Sequence, residues 1–173
     1  MKRLFSFLVL TLVAAMAVDA SAQSIVGKWN SSADAQAKML ESMGGKINKQ
    51  AATITYGSDN TYSTYSYVDA TANVMGYEMH MVMELSEIGT WSLKGNKLTM
   101  TNKSFDLSKL EIEFSDPALN AAGEQVKSMF AEAFTSGQGI VVVYDIEFID
   151  NDTAELNLDN EQMPMNYTIT RIK

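Results

Sequence analysis

Three methionines and the only histidine of the chain stand together in the stretch GYEMHMVMELSE, residues 76–87. Thioether and imidazole groups are ligands that suit Cu(I). If the stretch is a strand, however, alternation sends Met79, Met81 and Met83 to one face and His80 to the other. The chain has no cysteine and no second histidine to complete a metal site. Cu(I) binding through the methionines is therefore our least favoured binding hypothesis, and we predict no metal site.

The same alternation gives this stretch one apolar face. Tyr77, Met79, Met81 and Met83 share that face, and mostly polar residues take the other. Methionine is flexible and polarisable, so it fills an ordinary protein core and equally suits a pocket that admits a varied apolar ligand. Both interpretations of the methionine face, solid core and pocket lining, stay open at this point.

Two tyrosines are further candidates for ligand contacts. Tyr144 and Tyr167 each alternate in phase with apolar neighbours in strand-like stretches. A tyrosine offers an apolar ring together with a hydroxyl group that can orient a ligand. We predict a ligand-binding site that draws on these aromatic and thioether side chains: Tyr77, Met79, Met81, Met83, Tyr144 and Tyr167.

Catalytic chemistry has little support in the sequence. A nucleophile–base pair usually needs His or Cys, and only His80, on the predicted outer face, is present. Glu111 and Glu113 lie two residues apart, but they alternate with apolar residues, which is typical of a solvated strand face. We predict that the protein is not an enzyme and that it has no cofactor.

Charge and the first residues indicate the partners and the compartment. The chain has 13 basic and 21 acidic residues, a net charge of −8, which disfavours nucleic acid as a partner. Lys2 and Arg3 precede an apolar run that ends at Ala20-Ser21-Ala22, the pattern of a secretory signal peptide. We predict cleavage near Ala22/Gln23, a mature domain over residues 23–173 without a transmembrane segment, and a periplasmic or secreted location.

Period-two patterns dominate the rest of the chain. They predict about eight to ten short strands joined mostly by hairpins, which leaves a sandwich or a closed barrel. Two helical segments interrupt them. One is predicted from Ser32 to Met43, and the other over residues 116–136, with Asp116 as N-cap and Pro117 at the first helical position. A shift of apolar phase between Leu107 and Leu110 predicts a bulge near Ser108.

The motif Gly27-Lys28-Trp29 at the start of the first strand, with Arg171 in the last strand, favours the barrel. This pattern resembles secreted bacterial lipocalin-like domain proteins of the calycin superfamily, which includes the lipocalin and fatty-acid-binding-protein branches. A second motif, Gly89-Thr90-Trp91 before a hairpin, is similar to the same group. The resemblance implies an all-β, antiparallel up-and-down barrel. It also implies barrel closure by Gly27, Trp29 and Arg171, with the guanidinium across the indole ring, a favourable cation–π geometry.

The resemblance also implies a function without catalysis. We expect a carrier or sequestering protein that binds a small apolar or amphipathic molecule inside the barrel. The competing hypothesis is a solid-core module for protein interaction or envelope assembly, which would use the helix over residues 116–136 to contact a protein partner.

Overall fold

Eight antiparallel strands form the framework of the protein, seen in a computed structural model that describes residues 24–32, 41, 44–74, 76–136, 138–158 and 165–173. They are β1 (Gly27–Ser31), β2 (Lys46–Tyr56), β3 (Thr61–Val74), β4 (Tyr77–Lys94), β5 (Lys97–Phe114), β6 (Val141–Phe148), β7 (Thr153–Leu158) and β8 (Met165–Arg171). A 3-10 turn (Pro117–Leu119) and the helix α1 (Asn120–Ser136) lie between β5 and β6.

Each strand is hydrogen-bonded to the next in chain order, and β1 is bonded to β8, so the sheet closes into a barrel. At the closure, Trp29 of β1 lies opposite Arg171 of β8 and, on its other side, opposite Ile54 of β2. The sequence-based prediction of an all-β, up-and-down, lipocalin-like barrel is confirmed. The number of strands is at the lower end of the expected range.

The lower number arises because two pairs of predicted strands are continuous. The methionine stretch and the arm that contains Trp91 form the single 18-residue strand β4, and β5 is equally long. In the ladder between β4 and β5, Lys103 and Ser108 of β5 have no partner residue on β4. Each skipped residue is a bulge that reverses the inward phase of β5 without ending the strand. The bulge predicted near Ser108 is therefore present.

The core is a cluster of buried side chains around Trp29, and several of its members also line the interior of the barrel. Its largest almost fully buried side chains are Ile25, Trp29, Tyr56, Leu98 and Ile169. The indole Nε1 of Trp29 donates a hydrogen bond to the backbone oxygen of Ile25 at 2.7 Å, so this buried polar group is satisfied. Burial of several aromatic rings, each worth ~150–250 Å² of surface, compensates for the lack of disulfides.

Helix α1 packs against β5 near Ile112 and Phe114, in the part of the strand that follows its pairing with β6. Asp116 caps the segment by accepting a hydrogen bond from the backbone N–H of Ala118 at 2.9 Å, as the sequence predicted. Gly123 lies on the face of the helix next to β5, where an added Cβ would make an ordinary contact, 3.4 Å from the backbone oxygen of Ile112. The helix predicted over residues 32–43 lies almost entirely outside the described residues. None of the described helices is long and apolar enough to cross a membrane.

Candidate functional site

A partly open cavity of about 250 Å³ lies inside the barrel. Its wall combines apolar side chains with hydroxyl groups and one carboxylate. The lining residues come from all eight strands: Ser31, Ala52, Thr53, Ile54, Tyr56, Thr64, Ser66, Glu87, Met100, Tyr144, Leu156, Tyr167 and Ile169. Alternation explains most of this wall, because every second residue of a barrel strand points inward, as Ala52, Ile54 and Tyr56 do on β2.

Tyr144 and Tyr167, predicted from the sequence as ligand contacts, both line this cavity. Their rings meet edge to face, with centroids 6.2 Å apart. Burial raises the pKa of Tyr144 to about 12, and the nearby Tyr167 and Glu87 add to this effect. Burial also raises the pKa of Tyr167. Both phenols are therefore neutral at physiological pH and can donate or accept hydrogen bonds in the cavity.

Glu87 places a carboxylate in the cavity wall, at a position the sequence-based site lacks. It lies on the same face of β4 as the methionines, four residues beyond Met83. The hydroxyl group of Tyr62 donates a hydrogen bond to its Oε1. Burial, followed by this hydrogen bond, raises the pKa of Tyr62 far above its ordinary value. The phenol is thus held as a donor, and Glu87 accepts from it.

Gly89 makes the contact between Tyr62 and Glu87 sterically accessible. Tyr62 pairs with Gly89 across β3 and β4, and its ring lies over the glycine. A Cβ on Gly89 would be 2.5 Å from Cε1 of that ring, closer than real Cβ atoms come to other atoms. The glycine therefore allows the phenol to reach diagonally toward Glu87, two residues away on the same face.

A second cavity of about 130 Å³ adjoins the first and shares Glu87, Met100 and Tyr144 with it. Asn102 lines this second space and is only 4% exposed. Its Nδ2 donates to the backbone oxygen of Ser104 at 3.3 Å, whereas its Oδ1 has no hydrogen-bond partner among the described residues. Buried polar atoms nearly always have partners, so this enclosed acceptor is an exception among the described residues.

Tyr56 forms a rigid part of the cavity wall. Its hydroxyl group donates to Sδ of Met100 at 3.6 Å, and its ring meets Trp91 edge to face at 5.7 Å. Burial, with smaller effects of Tyr144 and Glu87, raises the pKa of Tyr56 strongly. The phenol therefore stays neutral, and its side chain has little freedom to move away from the cavity.

The residues predicted to close the barrel meet at the junction of β1 and β8. The guanidinium carbon of Arg171 lies 4.1 Å from the centre of the Trp29 ring. Its Nη1 and Nη2 donate to the backbone oxygens of Val26 and Ser24 at 2.7 and 2.6 Å. Gly27 has a φ of +131°, and a Cβ there would lie 2.6 Å from Nη1 of Arg171. The junction therefore requires glycine at this position.

The methionine face lies outside this cavity wall. Met79, Met81 and Met83 point to the same side of β4 as Glu87 and pair with Ala72, Ala70 and Val68 of β3. On their other side they pair with Phe114, Ile112 and Leu110 of β5, in the part of the sheet where α1 packs. Tyr77, at the start of β4, is 42% exposed. A role for these four residues in ligand binding stays a prediction.

His80 lies on the opposite face of β4, as alternation predicted. Its Nε2 is 2.9 Å from Oδ1 of Asp69, which also accepts a hydrogen bond from Nδ2 of Asn48. These bonds, with Asn48 as the largest contribution, lower the pKa of Asp69. In the described part of the chain, no group of three or more His, Cys, Asp or Glu side chains could hold a metal ion. His80 thus belongs to a surface polar cluster.

The sequence contained a signal for Glu87 that the strand-by-strand prediction did not use. The predicted apolar face of the methionine stretch contains Tyr77, Met79, Met81 and Met83 and goes no further. Continuing the alternation from Met83 through Leu85 would have placed Glu87 on the inner face. Asn102 gave no such signal, because the bulge at Lys103 that follows it has no distinct sequence pattern.

A model of the lipocalin-like domain family matches residues 25–119 of the chain. The match covers more than half of the 173 residues and extends from before β1 to the end of the 3-10 turn. It therefore includes Trp29, Tyr62 and Glu87, while Tyr144 and Tyr167 lie beyond it. No curated protein matches the chain.

Proposed function

The chain belongs to the lipocalin-like domain family, and on that premise we propose that it binds a small apolar or amphipathic molecule inside its barrel. The observation that carries the proposal is the cavity of about 250 Å³ with apolar and hydroxyl-bearing walls. Ligand pockets of drug-sized molecules usually measure roughly 300–1,000 Å³. The ligand we propose is therefore small, about the size of one aromatic ring with a short polar arm.

Binding would rest on the burial of apolar ligand surface against Ile54, Leu156 and Ile169. Such burial is worth about 25 cal/mol per Å² removed from water. The hydroxyl groups of Tyr144 and Tyr167 would orient the polar end of the ligand, because both phenols are neutral and line the cavity. No group in this proposal changes covalently, so we assign the protein a carrier or sequestering role.

We place this role outside the cytoplasm. The support is the basic start at Lys2 and Arg3, the apolar run that follows, and the small residues that end at Ala22. A periplasmic or secreted carrier would encounter its ligand in solution or at the cell envelope. Peptide mapping of the protein purified from its native host tests the location, because an N-terminus at Gln23 in an extracytoplasmic fraction is the expected result.

The cavity is tested by blocking it with a side chain. Ala52 lines the cavity, whereas its neighbour Ala51 is exposed on the other face of β2. We expect residues 23–173 to bind 2-phenylethanol saturably, with NMR shifts at Tyr144 and Tyr167. Ala52→Phe should abolish these shifts, and Ala51→Phe, the matched control, should retain them.

Two results would contradict this proposal. If the protein shows no saturable binding of 2-phenylethanol or of other small aromatic alcohols, the carrier role is wrong. If Ala52→Phe binds as well as the unchanged protein, the ligand occupies another site. The competing hypothesis, a solid-core module that contacts a protein through α1, would then be favoured, and exposed Met129 on that helix would be the first residue to test.

A further inference from the structure

We propose that the ligand of this barrel carries a protonated amine, and that Glu87 binds the ammonium group. The inference rests on the proposed function, since it names the chemical class of the molecule held in the same cavity. It assigns the apolar part of the ligand to the wall around Ile54 and Leu156. The amine is then directed toward β4, where the two cavities meet.

The first support is an imbalance of charge in the barrel. Glu87 lines both cavities, and none of the described residues that line them is a lysine, arginine or histidine. Glu87 also forms no ion pair with a described basic side chain, whereas Asp145 and Glu111 have lysine partners at 2.7 and 3.0 Å. A carboxylate drawn out of water is costly unless an opposite charge or several donors compensate for it.

The second support is the supply of acceptors around this carboxylate. The phenol of Tyr62 satisfies one oxygen of Glu87. An ammonium group has three N–H donors and no acceptor, so it matches a site that offers a carboxylate beside neutral phenols. Phenol oxygens such as that of Tyr144 can accept the remaining proton.

Glu84 and Tyr65 form a similar carboxylate–phenol pair on the outer face of β4, but a basic side chain is near that pair. Glu84 accepts a hydrogen bond from the phenol of Tyr65 at 3.1 Å, but this pair faces solvent. The pKa of Lys109 is raised mainly by Glu111, and Glu84 adds to that effect, so a cation is already near Glu84. The groups whose pKa values respond to Glu87 are instead phenols: Tyr56, Tyr62 and Tyr144.

The same arrangement disfavours anionic ligands. A fatty acid or another carboxylate would place its charge beside Glu87, and like charges at a shared site repel each other. The net charge of −8 acts in the same direction, because it attracts cations and repels anions during approach. We therefore expect the cavity to bind amines in preference to carboxylates.

The test compares three probes with the same ring: 2-phenylethylamine, 2-phenylethanol and 3-phenylpropionate. Titration calorimetry of residues 23–173 should give at least tenfold tighter binding for the amine than for the alcohol, and the weakest binding for the carboxylate. Glu87→Gln keeps the size of the side chain and should reduce amine affinity at least tenfold, to the level of the alcohol. Glu84→Gln, the matched control on the outer face, should leave all three affinities unchanged.

The outcomes separate this inference from the proposed function. If the alcohol binds as tightly as the amine and Glu87→Gln changes neither affinity, the amine assignment is wrong while the carrier role stands. If none of the three probes binds, both are wrong. Should Glu87→Gln fail to fold, Tyr62→Phe serves instead: it retains the carboxylate, so the tenfold preference for the amine must persist and must weaken as salt is added.

Discussion

Arg171 of β8 contacts Trp29 of β1 where the last strand of the barrel pairs with the first, and its guanidinium carbon lies 4.1 Å from the centre of the Trp29 ring. The two residues are also opposite each other in the ladder between β8 and β1. The guanidinium donates to two carbonyl oxygens that precede β1, so it covers the indole and fastens the incoming chain at once. Stacking and a planar set of donors are properties that arginine has and lysine lacks.

Replacement of this arginine tests the closure. Arg171→Lys keeps the charge but loses the stacked plane and at least one of the three hydrogen bonds from the guanidinium to backbone carbonyl oxygens. We expect the free energy of unfolding to fall by about 2 kcal/mol, since charge-assisted hydrogen bonds contribute about 1.5–3 kcal/mol each. Urea unfolding measures this loss. Lys173→Ala, which removes an exposed basic residue two positions later, should change the stability by less than about 0.5 kcal/mol.

Gly27 gives a second test of the same junction. Gly27→Ala forces a Cβ to within 2.6 Å of Arg171 Nη1 at a backbone φ of +131°. We expect destabilisation by about 2–3 kcal/mol from strain and from displacement of the guanidinium. Gly95→Ala is the control: φ is +61° there, but no atom lies within 4 Å of the new Cβ, so a loss of about 1 kcal/mol is expected. Equal losses in thermal unfolding would contradict the steric argument.

Two tyrosines of β3 allow a buried phenol–carboxylate hydrogen bond to be compared with an exposed one. Tyr62 is 3% exposed and donates to Glu87, whereas Tyr65 is 38% exposed and donates to Glu84. Tyr62→Phe should cost about 1.5–3 kcal/mol, because it removes a donor to a partly buried carboxylate. Tyr65→Phe should cost less than about 0.5 kcal/mol, because water replaces the lost donor. Chemical unfolding of both variants in parallel is the measurement.

Alkaline pH should weaken the fold through Tyr144. The phenol of Tyr144 has its ordinary pKa of 10.0 in the unfolded chain and a pKa of about 12 in the folded protein. Between these values the folded state binds more protons, so the free energy of unfolding decreases as pH rises. Two pKa units correspond to roughly 2–3 kcal/mol. The stabilisation contributed by Tyr144 is complete below pH 10, and it is lost as the pH rises through the pKa of the folded protein.

Comparison with Tyr144→Phe isolates this effect. Urea unfolding across the alkaline window should show a shallower decline for the variant, because Tyr56 and Tyr62 still titrate while residue 144 does not. Spectrophotometric titration of the unchanged protein should show phenols that ionise only as the fold is lost. Parallel stability curves for the two proteins would contradict the assignment of the raised pKa to Tyr144.

Sequence alternation predicted the faces of the barrel well. Tyr62 and Tyr65 are three residues apart on β3, so alternation places them on opposite faces, and the first is buried while the second is exposed. His80 was separated from the methionines for the same reason. These predictions succeed because the side-chain period of a strand is a local property of the backbone.

The composition of the cavity was harder to predict. Which inward residues surround empty space depends on how eight strands approach each other across the barrel, and no local pattern contains that distance. Leu156 and Ile169, for example, line the cavity with Tyr144, yet their sequence pattern is that of ordinary core residues. The inward carboxylate of Glu87 was missed for another reason: a strand that remains continuous through Gly89 appears in the sequence as two strands.

The pairing of β1 with β8 also determines when the barrel can form. Val26 and its hydrogen-bond partner Arg171 are 145 residues apart in sequence, so their contact closes one of the longest loops in the protein. The hairpins from β2 to β5 join neighbours in sequence and can form early, whereas closure must wait for the last strand. Until Arg171 is in place, the edge of β1 that pairs with β8 is exposed. Exposed strand edges bind other strands, so this interval is when such a protein most needs a chaperone.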